Sequence, residues 1–533
     1  MMTTEDIADA LELTAKLMEL HNENPFKVKA ISAAAYKLGK TRLDLNHLSV
    51  EELTKIEGIG KSIAEKIHEF TTAGISNELR ELNTKTPVGV VDMLGIKGLG
   101  PKKVRQLWLE LELESVTDLL YACHENRLVE LKGFGAKTQQ TIIQNIEFKL
   151  SNTGKFHYAY AEKIGQPIID AIRQQTDLVS FTGPMHRKCE IIEEIDILIG
   201  DESVDLDAFA TDSIPLNFIH ASEALFYRTL VESSSTPEHL AGIGFSLLPA
   251  KRYQSEQDVY AALGVQYCEP ELREGHFEIE KAKSHSLPAL VEYSDLKGIL
   301  HNHSTYSDGM NSLQEMALYC KELGYQYLGI CDHSQTAVYA DGLKPETVLV
   351  QHEEIDRLNQ QLFPFKIFKG IESDILSNGE LDYEEDMLKR FDFIVASVHA
   401  NLKMDEAKAT ARLIKAIENP YTTILGHPTG RLLLGRPGYP IDHKKVIDAC
   451  AANKVVIELN AHPYRLDIDW RWIPYCLEKG VMISINPDAH QLKGYHDMRY
   501  GTYTARKGML TQENCLNAMD LQTFEHYLNT RKK

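Results

Sequence analysis

Apolar positions follow three different regimes along the 533 residues. Over residues 1–150 they recur at three- and four-residue intervals, as in ADALELTAKLMEL and VKAISAAAYKL, which predicts short amphipathic helices. Three glycine pairs punctuate this region: Gly58-Ile59-Gly60, Gly98-Leu99-Gly100 and Gly133-Phe134-Gly135. Each closes one apolar helical run and opens the next, in KIEGIGKSIAEKI, LGIKGLGPKKVRQL and LKGFGAKTQQTII. One helix–turn–helix unit is therefore used three times. Residues 151–285 are mixed, with strand-like LVSFTGP and EIDILIG and helix-like SEALFYRTLVES and SEQDVYAAL. The polar stretch ELREGHFEIEKAKSHSLPAL reads as a linker or extended connection. From residue 290 onward seven β-rich runs alternate with helices such as SLQEMALYCKELG and DEAKATARLIKAIE. Repeated βα units predict a parallel sheet closed as a barrel.

Length and composition limit the options. A chain this long exceeds one compact core, so three or four domains are expected. The formal net charge is −20, so any contact with nucleic acid must be local rather than spread over the surface. Residues 1–150 carry 19 Lys and Arg against 22 Asp and Glu, so most of the acidity lies downstream. The eight cysteines are scattered and form no CxxC pair, which points to a reducing compartment. The start MMTTEDIADALE has neither a basic nor an apolar leader region, and no stretch approaches the ~20 apolar residues of a membrane span. A cytoplasmic, nucleoid-associated protein without membrane partners is expected.

The chemistry concentrates at the ends of the β-rich runs: KGILHNH, YLGICDH, KIFKGIESD, DFIVASVHA, TTILGHP, KVVIELNAH and VMISINPDAH. In a βα barrel, catalytic groups sit at the C-terminal ends of the strands. The candidates are His301, His303, Asp308, His333, Glu372, His399, His427, Asp488 and His490. In HNH, residues i and i+2 of a strand point the same way, so His301 and His303 can hold one ion together. The DAH run at 488–490 repeats that geometry from the far side. Imidazole combined with carboxylate suits Zn²⁺, Mn²⁺ or Fe²⁺ better than Mg²⁺ alone. Nine ligands exceed one ion, and Glu372 could bridge two. Clustered ions can activate water and clamp both oxygens of a phosphoester displacement.

HNHSTYSDG, CDHS, GIESD, SVHA, GHPTGR and NPDAH resemble the motifs of the polymerase-and-histidinol-phosphatase (PHP) domain over about 240 residues. The resemblance implies a seven-stranded α/β barrel with three divalent metals, Mn²⁺ or Zn²⁺ or a mixture with Fe²⁺. It assigns one ion to His301, His303, Glu372 and Asp488. A second shares Glu372 and adds His399 and His427, and a third takes Asp308, His333 and His490. Arg431 and Arg465, just past strand ends, could hold a phosphate or form a surface salt bridge.

The glycine turns allow φ > 0 and a close backbone approach, and the following helix N-terminus points at an anion. Such contacts position a phosphate backbone without reading sequence. Lys61, Lys102, Lys103 and Lys137 follow the turns directly. The three units resemble helix-hairpin-helix motifs. Their order, with the mixed segment behind them, resembles the small domain, fingers and palm of family X DNA polymerases, which in bacteria carry a PHP domain behind the polymerase. The implied divisions are a small helical DNA-binding domain at 1–80, a fingers-like hairpin region at 81–150, a palm and thumb at 151–285 and the PHP domain at 290–533. The same resemblance makes Lys66 a candidate abasic-site lyase lysine acting through a Schiff base, beside the plain alternative of a solvated helix lysine.

The palm departs from the pattern. The family has Gly-Ser, a basic stretch, then Asp-x-Asp, and needs three carboxylates to hold two Mg²⁺ ions. Here Gly183-Pro184-Met185-His186-Arg187 leads to Glu194-Ile195-Asp196. Pro184 removes a hydroxyl and an N–H, and Glu194 adds a methylene where Mg²⁺ tolerates poor geometry badly. SIPLNFIHA, where the third acid belongs, has none, although Asp205, Asp207 or Asp212 could serve from another register. The palm is therefore expected to be degenerate, with Mg²⁺ required only if it is active. The reading is a DNA-repair phosphodiesterase, a 3′–5′ exonuclease or abasic-site endonuclease. It acts as a monomer on gapped, nicked or abasic DNA. The alternatives are a gap-filling polymerase, a phosphatase of a small phosphorylated substrate and a non-catalytic DNA scaffold. The altered palm argues against the first, the three hairpins against the second and the nine ligands against the third.

Overall fold

A computed structural model describes residues 2–531 except Arg42, residues 117–118, 120–121, 124–127, 129–130 and 152–153, Glu202, residues 207–208 and 210–213, Ala250 and residues 435–436. Asp207 and Asp212 thus lie outside the described residues. The chain forms two compact units, Met1–Thr153 and Gly154–Lys533. The regions expected at 1–80 and 81–150 both fall inside the first, and those at 151–285 and 290–533 inside the second. No described helix is long and apolar enough to cross a membrane.

The first unit is helical, as the periodicity predicts. Its described helices are α1 (Thr4–Leu20), α2 (Pro25–Gly39), α3 (Val50–Leu53), α4 (Lys61–Ala73), α5 (Asn77–Lys85), α6 (Val88–Met93), α7 (Pro101–Leu111) and α8 (Ala136–Ser151). Helix α1 begins at a capping box in which Thr3 accepts from the Asp6 N–H and Asp6 accepts from the Thr3 N–H. Ile7, Leu11, Ala15 and Met18 then line its buried face. The same local turn recurs three times. Ile59, Leu99 and Phe134 each donate a backbone N–H three residues back, to Ile56, Ile96 and Leu131, all at 3.0 Å. The preceding glycines sit at φ +87°, +90° and +90°, the third position of a type II turn. The residue between the two glycines is buried every time and pins the turn to one shared core.

In the second unit, β1 (Val179–Phe181), β2 (Ile195–Ile199) and β3 (Leu216–His220) form a small sheet, β2 antiparallel to β1 and parallel to β3. The barrel follows: β4 (Gly298–Ile299), β5 (Tyr327–Ile330), β6 (Lys366–Lys369) continuing into β7 (Glu372–Asp374), β8 (Val395–Ser397), β9 (Ile424–Leu425), β10 (Val456–Asn460) and β11 (Ile483–Asn486). All paired strands here are parallel, in one run of three and one of five. Two parallel bridges, His333 to Glu372 and Asn302 to Ala489, join the runs and close seven staves into a barrel. Both closures fall on or beside the candidate ligands, and His303 N donates to Ala489 O at 2.8 Å. The opposite end is filled with apolar side chains, including Leu300, Tyr327, Phe368, Phe393 and Phe524. Gly329 and Gly370 make room for Phe393, whose ring lies 2.4 and 2.5 Å from where their Cβ atoms would stand. One end is thus an apolar plug and the other is polar.

The segment expected to be a linker is instead packed. It forms short helices at Pro270–Leu272 and Glu278–Lys283, and Glu271, Arg273 and Glu278 are buried. Glu271 pairs with Arg506 at 3.0 Å, and Glu274 pairs with Lys507 at 2.6 Å and Arg187 at 3.2 Å. Its polar composition reflects buried ion pairs, not exposure. Leu466 and Tyr500 from the barrel side join the core of the small sheet. The palm segment and the barrel therefore share a core.

Candidate functional site

The polar mouth of the barrel is organised around Glu372, which is 1% exposed. The Nε2 atoms of His301, His399 and His427 lie 3.2, 3.1 and 3.1 Å from its Oε1. His333 Nδ1 and His303 Nε2 lie 2.9 and 3.7 Å from its Oε2. Asp488 Oδ1 is 3.0 Å from His303 Nε2 and 3.6 Å from His301 Nε2. Asp308 Oδ1 is 3.3 Å from His490 Nε2 and 3.7 Å from His333 Nε2. All nine strand-end candidates therefore converge on one site.

Three groupings have donor atoms close enough to share an ion: His301, His303 and Asp488; His333, Glu372 and His399; and His303, Asp308, His333 and His490. They differ in detail from the division implied by resemblance, because His333 faces Glu372 as well as Asp308, and His303 faces two groups. The first two groups are largely buried, whereas Asp308 and His490 lie toward solvent. The donors fit divalent ions by a direct test. His301 Nε2, His303 Nδ1, His427 Nδ1 and Glu372 Oε2 are buried and make no hydrogen bond, despite close neighbours. Of these, His301 Nε2 and Glu372 Oε2 face the centre, and buried donor atoms left open toward one point are what a coordination site requires.

Two carboxylates that the strand-end reading passed over form the next layer. Glu458 Oε1 is 2.7 Å from His301 Nδ1, and its Oε2 accepts from the His427 backbone N–H at 2.8 Å. Asp374 Oδ1 is 2.5 Å from His399 Nδ1. Each orients an imidazole so that Nε2 faces the centre. Glu458 sits inside the apolar run VVIEL, and Asp374 stands two residues after Glu372 on the same strand face, and those placements were the available signal.

The electrostatics follow from this geometry. Burial would raise Glu372, but His399, His301 and His333 outweigh it and hold the carboxyl well below its ordinary value. Burial lowers His303 to about 3, with His490 and His333 adding to the effect. Burial also opposes the charge on His399, but Glu372 and Asp374 raise it to about 10.

The two arginines separate. Arg431 is consumed internally, pairing with Asp469 at 2.9 Å and Glu190 at 3.5 Å and donating to the carbonyls of Arg465 and Leu466. A phosphate-holding role is not compatible with those bonds, so Arg431 is a brace. Arg465 is different, since its Nη1 is buried and makes no hydrogen bond. Its charge helps keep Asp488 low and, after burial, also lowers His427.

Elsewhere, Lys66 Nζ pairs with Glu78 at 3.0 Å and its side chain is 12% exposed. It therefore braces α4 against α5 rather than standing as a solvated lysine. Lys61, Lys102 and Lys137 are exposed beside the glycine turns, and Lys103 lies 5.4 Å over the Phe134 ring. Nothing comes within 4 Å of a Cβ position at Gly60, Gly98, Gly100, Gly133 or Gly135, so these glycines face open space, whereas at Gly58 the Lys37 side chain lies 3.1 Å from that position. In the small sheet, Asp196 stands in register with Asn217, whose Nδ2 donates to its Oδ1 at 2.7 Å. An amide thus occupies the position beside Asp196 on the neighbouring strand. Glu194 is exposed, and Arg187 is held by Glu274.

Comparison with known proteins matches the family described as "Helix-hairpin-helix domain" over residues 2–75. It also matches "SAM-like Helix-hairpin-helix tandem" over 90–147 and "PHP domain" over 300–462. The chain is 33% identical over 570 aligned residues to the "DNA polymerase/3'-5' exonuclease PolX" of Bacillus subtilis, covering 99% of each protein. Over 36% of its length it is 29% identical to a "Probable phosphatase" of Acetivibrio thermocellus, covering 78% of that protein.

The outer layer makes a quantitative prediction. Glu458→Gln keeps the shape but weakens the hold on His301, so affinity for Mn²⁺ or Zn²⁺ should fall about 10–100-fold with the barrel intact. Chelator competition on the purified protein measures this, and unchanged affinity would show that Glu458 does not organise the centre.

Proposed function

Because the chain belongs to the family X DNA polymerases of the bacterial type, with a PHP domain behind helix-hairpin-helix motifs, we propose that it is a DNA-repair phosphodiesterase. Its working centre is the barrel mouth, acting as a 3′–5′ exonuclease or on abasic sites. The observation that carries this reading is the convergence of six histidines and three carboxylates around buried Glu372. The full-length similarity to the PolX relative supports it. The ligands are His301, His303, Asp308, His333, Glu372, His399, His427, Asp488 and His490. They hold three divalent ions, Mn²⁺ or Zn²⁺ or a mixture with Fe²⁺. When bound, such ions supply Lewis-acid charge and an acidified water for attack on phosphorus. Around them, Asp374 and Glu458 fix the imidazole orientations, and Arg465 offers a buried donor to a phosphate oxygen.

The hairpins hold the DNA. Exposed backbone at the three glycine turns, with Lys61, Lys102, Lys103 and Lys137, suits sequence-independent contacts to gapped, nicked or abasic duplex. Lys66, held by Glu78, is assigned no lyase role. The protein works as a cytoplasmic, nucleoid-associated monomer.

The palm no longer polymerises. Asn217 donates to Asp196 where a carboxylate should share a metal, Glu194 is exposed, and Arg187 is spent on Glu274. A site that must neutralise a triphosphate keeps Asp196 but has an exposed Glu194, an amide beside Asp196 and an arginine held by Glu274. Mg²⁺ therefore has no work there.

Two measurements follow. With Mn²⁺ and a labelled gapped duplex, His303→Ala and Asp488→Ala should each lower cleavage by at least about 100-fold while DNA affinity stays unchanged, since even outer-layer changes cost that much. Full cleavage by both variants would remove the assignment of the centre. On the His303→Ala background, primer extension with all four dNTPs and Mg²⁺ or Mn²⁺ should be absent. Efficient extension that disappears on Asp196→Ala would show a working palm.

A further inference from the structure

Tyr464 lies on the segment that leaves the C-terminal end of β10, immediately before Arg465. It is 51% exposed, at the mouth of a barrel whose other aromatic residues are mostly buried. Its backbone is nevertheless fixed at both polar groups. The N–H donates to His462 Nδ1 at 3.2 Å, and the carbonyl accepts from Leu433 N at 2.7 Å. The ring is backed on one side by His157, with centroids 4.2 Å apart and planes tilted by 33°. His157 is itself anchored, its Nε2 lying 2.9 Å from the Leu433 carbonyl oxygen. The ring also meets that of His462 edge-on, with centroids 5.3 Å apart, so it is positioned by two imidazoles while half of it stays in solvent, an arrangement that suits an incoming π-face.

The neighbouring residue indicates which partner. Arg465 carries a buried, unbonded Nη1, and its loop is tied to the centre through Asn460, which accepts from the His462 N–H at 3.1 Å and donates to Asp488 Oδ2 at 3.1 Å. A phosphodiester held there would place the attached nucleoside on the side of the mouth where Tyr464 stands. Resting on the nuclease reading above, we propose that Tyr464, backed by His157, is a stacking platform for the base of the nucleotide being released. The ligand class is an unpaired nucleobase, purine or pyrimidine, because every base offers a π-face. The site would then favour single-stranded or frayed 3′ ends over fully paired ones. The platform also gives the palm segment a task, since His157 comes from it.

The test compares a single-stranded oligonucleotide with bis(p-nitrophenyl) phosphate, a phosphodiester without a base, both with Mn²⁺ and full-length protein. Tyr464→Ala should lower the ratio of oligonucleotide to ester kcat/KM by on the order of ten-fold, mainly through the oligonucleotide KM. Tyr464→Phe, which keeps the ring, should restore the ratio, and His157→Ala should lower it part of the way. Equal losses on both substrates, or an unchanged ratio, would overturn the platform and leave the nuclease reading standing. A wild-type protein that hydrolyses the ester but no oligonucleotide would overturn the nuclease reading itself, and the platform with it.

Discussion

Burying the Glu372 carboxylate is the constraint on which the second unit turns. An isolated buried charge costs on the order of several kcal/mol, and a bare carboxylate at 1% exposure would not persist without compensation. Compensation comes from ring nitrogens on four different strand ends: His301, His333, His399 and His427. Without ions, protons supply part of the positive charge, as the raised His399 and His301 show. Divalent cations are the natural replacement, because they satisfy the ring nitrogens that face Glu372 and the carboxylate together. The barrel closes through His333–Glu372 and Asn302–Ala489, so stave pairing and ligand placement are one geometric requirement.

The palm segment is tied to that centre. Arg187, Glu190 and His157 would be free to serve a nucleotide site in an independent domain. Here they bind Glu274, Arg431 and the Leu433 carbonyl. Arg431 in turn holds the Arg465 carbonyl, which lies in the loop after β10 at the barrel mouth. Residues 151–285 are thus joined to the barrel mouth, and the same contacts support the proposed loss of polymerisation. Glu190 and His157 reach the barrel loop directly, and Arg187 reaches the barrel only through Glu274, which also pairs with Lys507.

Much of this was legible in the sequence, for physical reasons. The βα alternation and the strand-end histidines and carboxylates place nine candidate ligands without reference to tertiary contacts, since strand direction alone sends them to one mouth. The three Gly-x-Gly turns were equally readable, because a type II turn requires φ > 0 at its third position. Other features were hidden. Polar Glu271, Arg273 and Glu278 looked like a linker because buried ion pairs and exposed charge have the same composition. Arg431 and Arg465 look alike in sequence, and only their partners separate a brace from an open donor. The sharing of His303 and His333 between groupings depends on ring directions that no spacing encodes. SIPLNFIHA showed the missing acid, but not that Asn217 would stand in register with Asp196.

The central claim is that Glu372 joins several ions into one centre, and counting ions tests it most directly. Metal content per chain should be measured by elemental analysis after Mn²⁺ or Zn²⁺ loading and gel filtration, for the wild type and for Glu372→Gln with its fold verified by circular dichroism. The account predicts three ions per wild-type chain and at most one in the variant. A wild type that retains none, or a variant that retains the full complement, would contradict it.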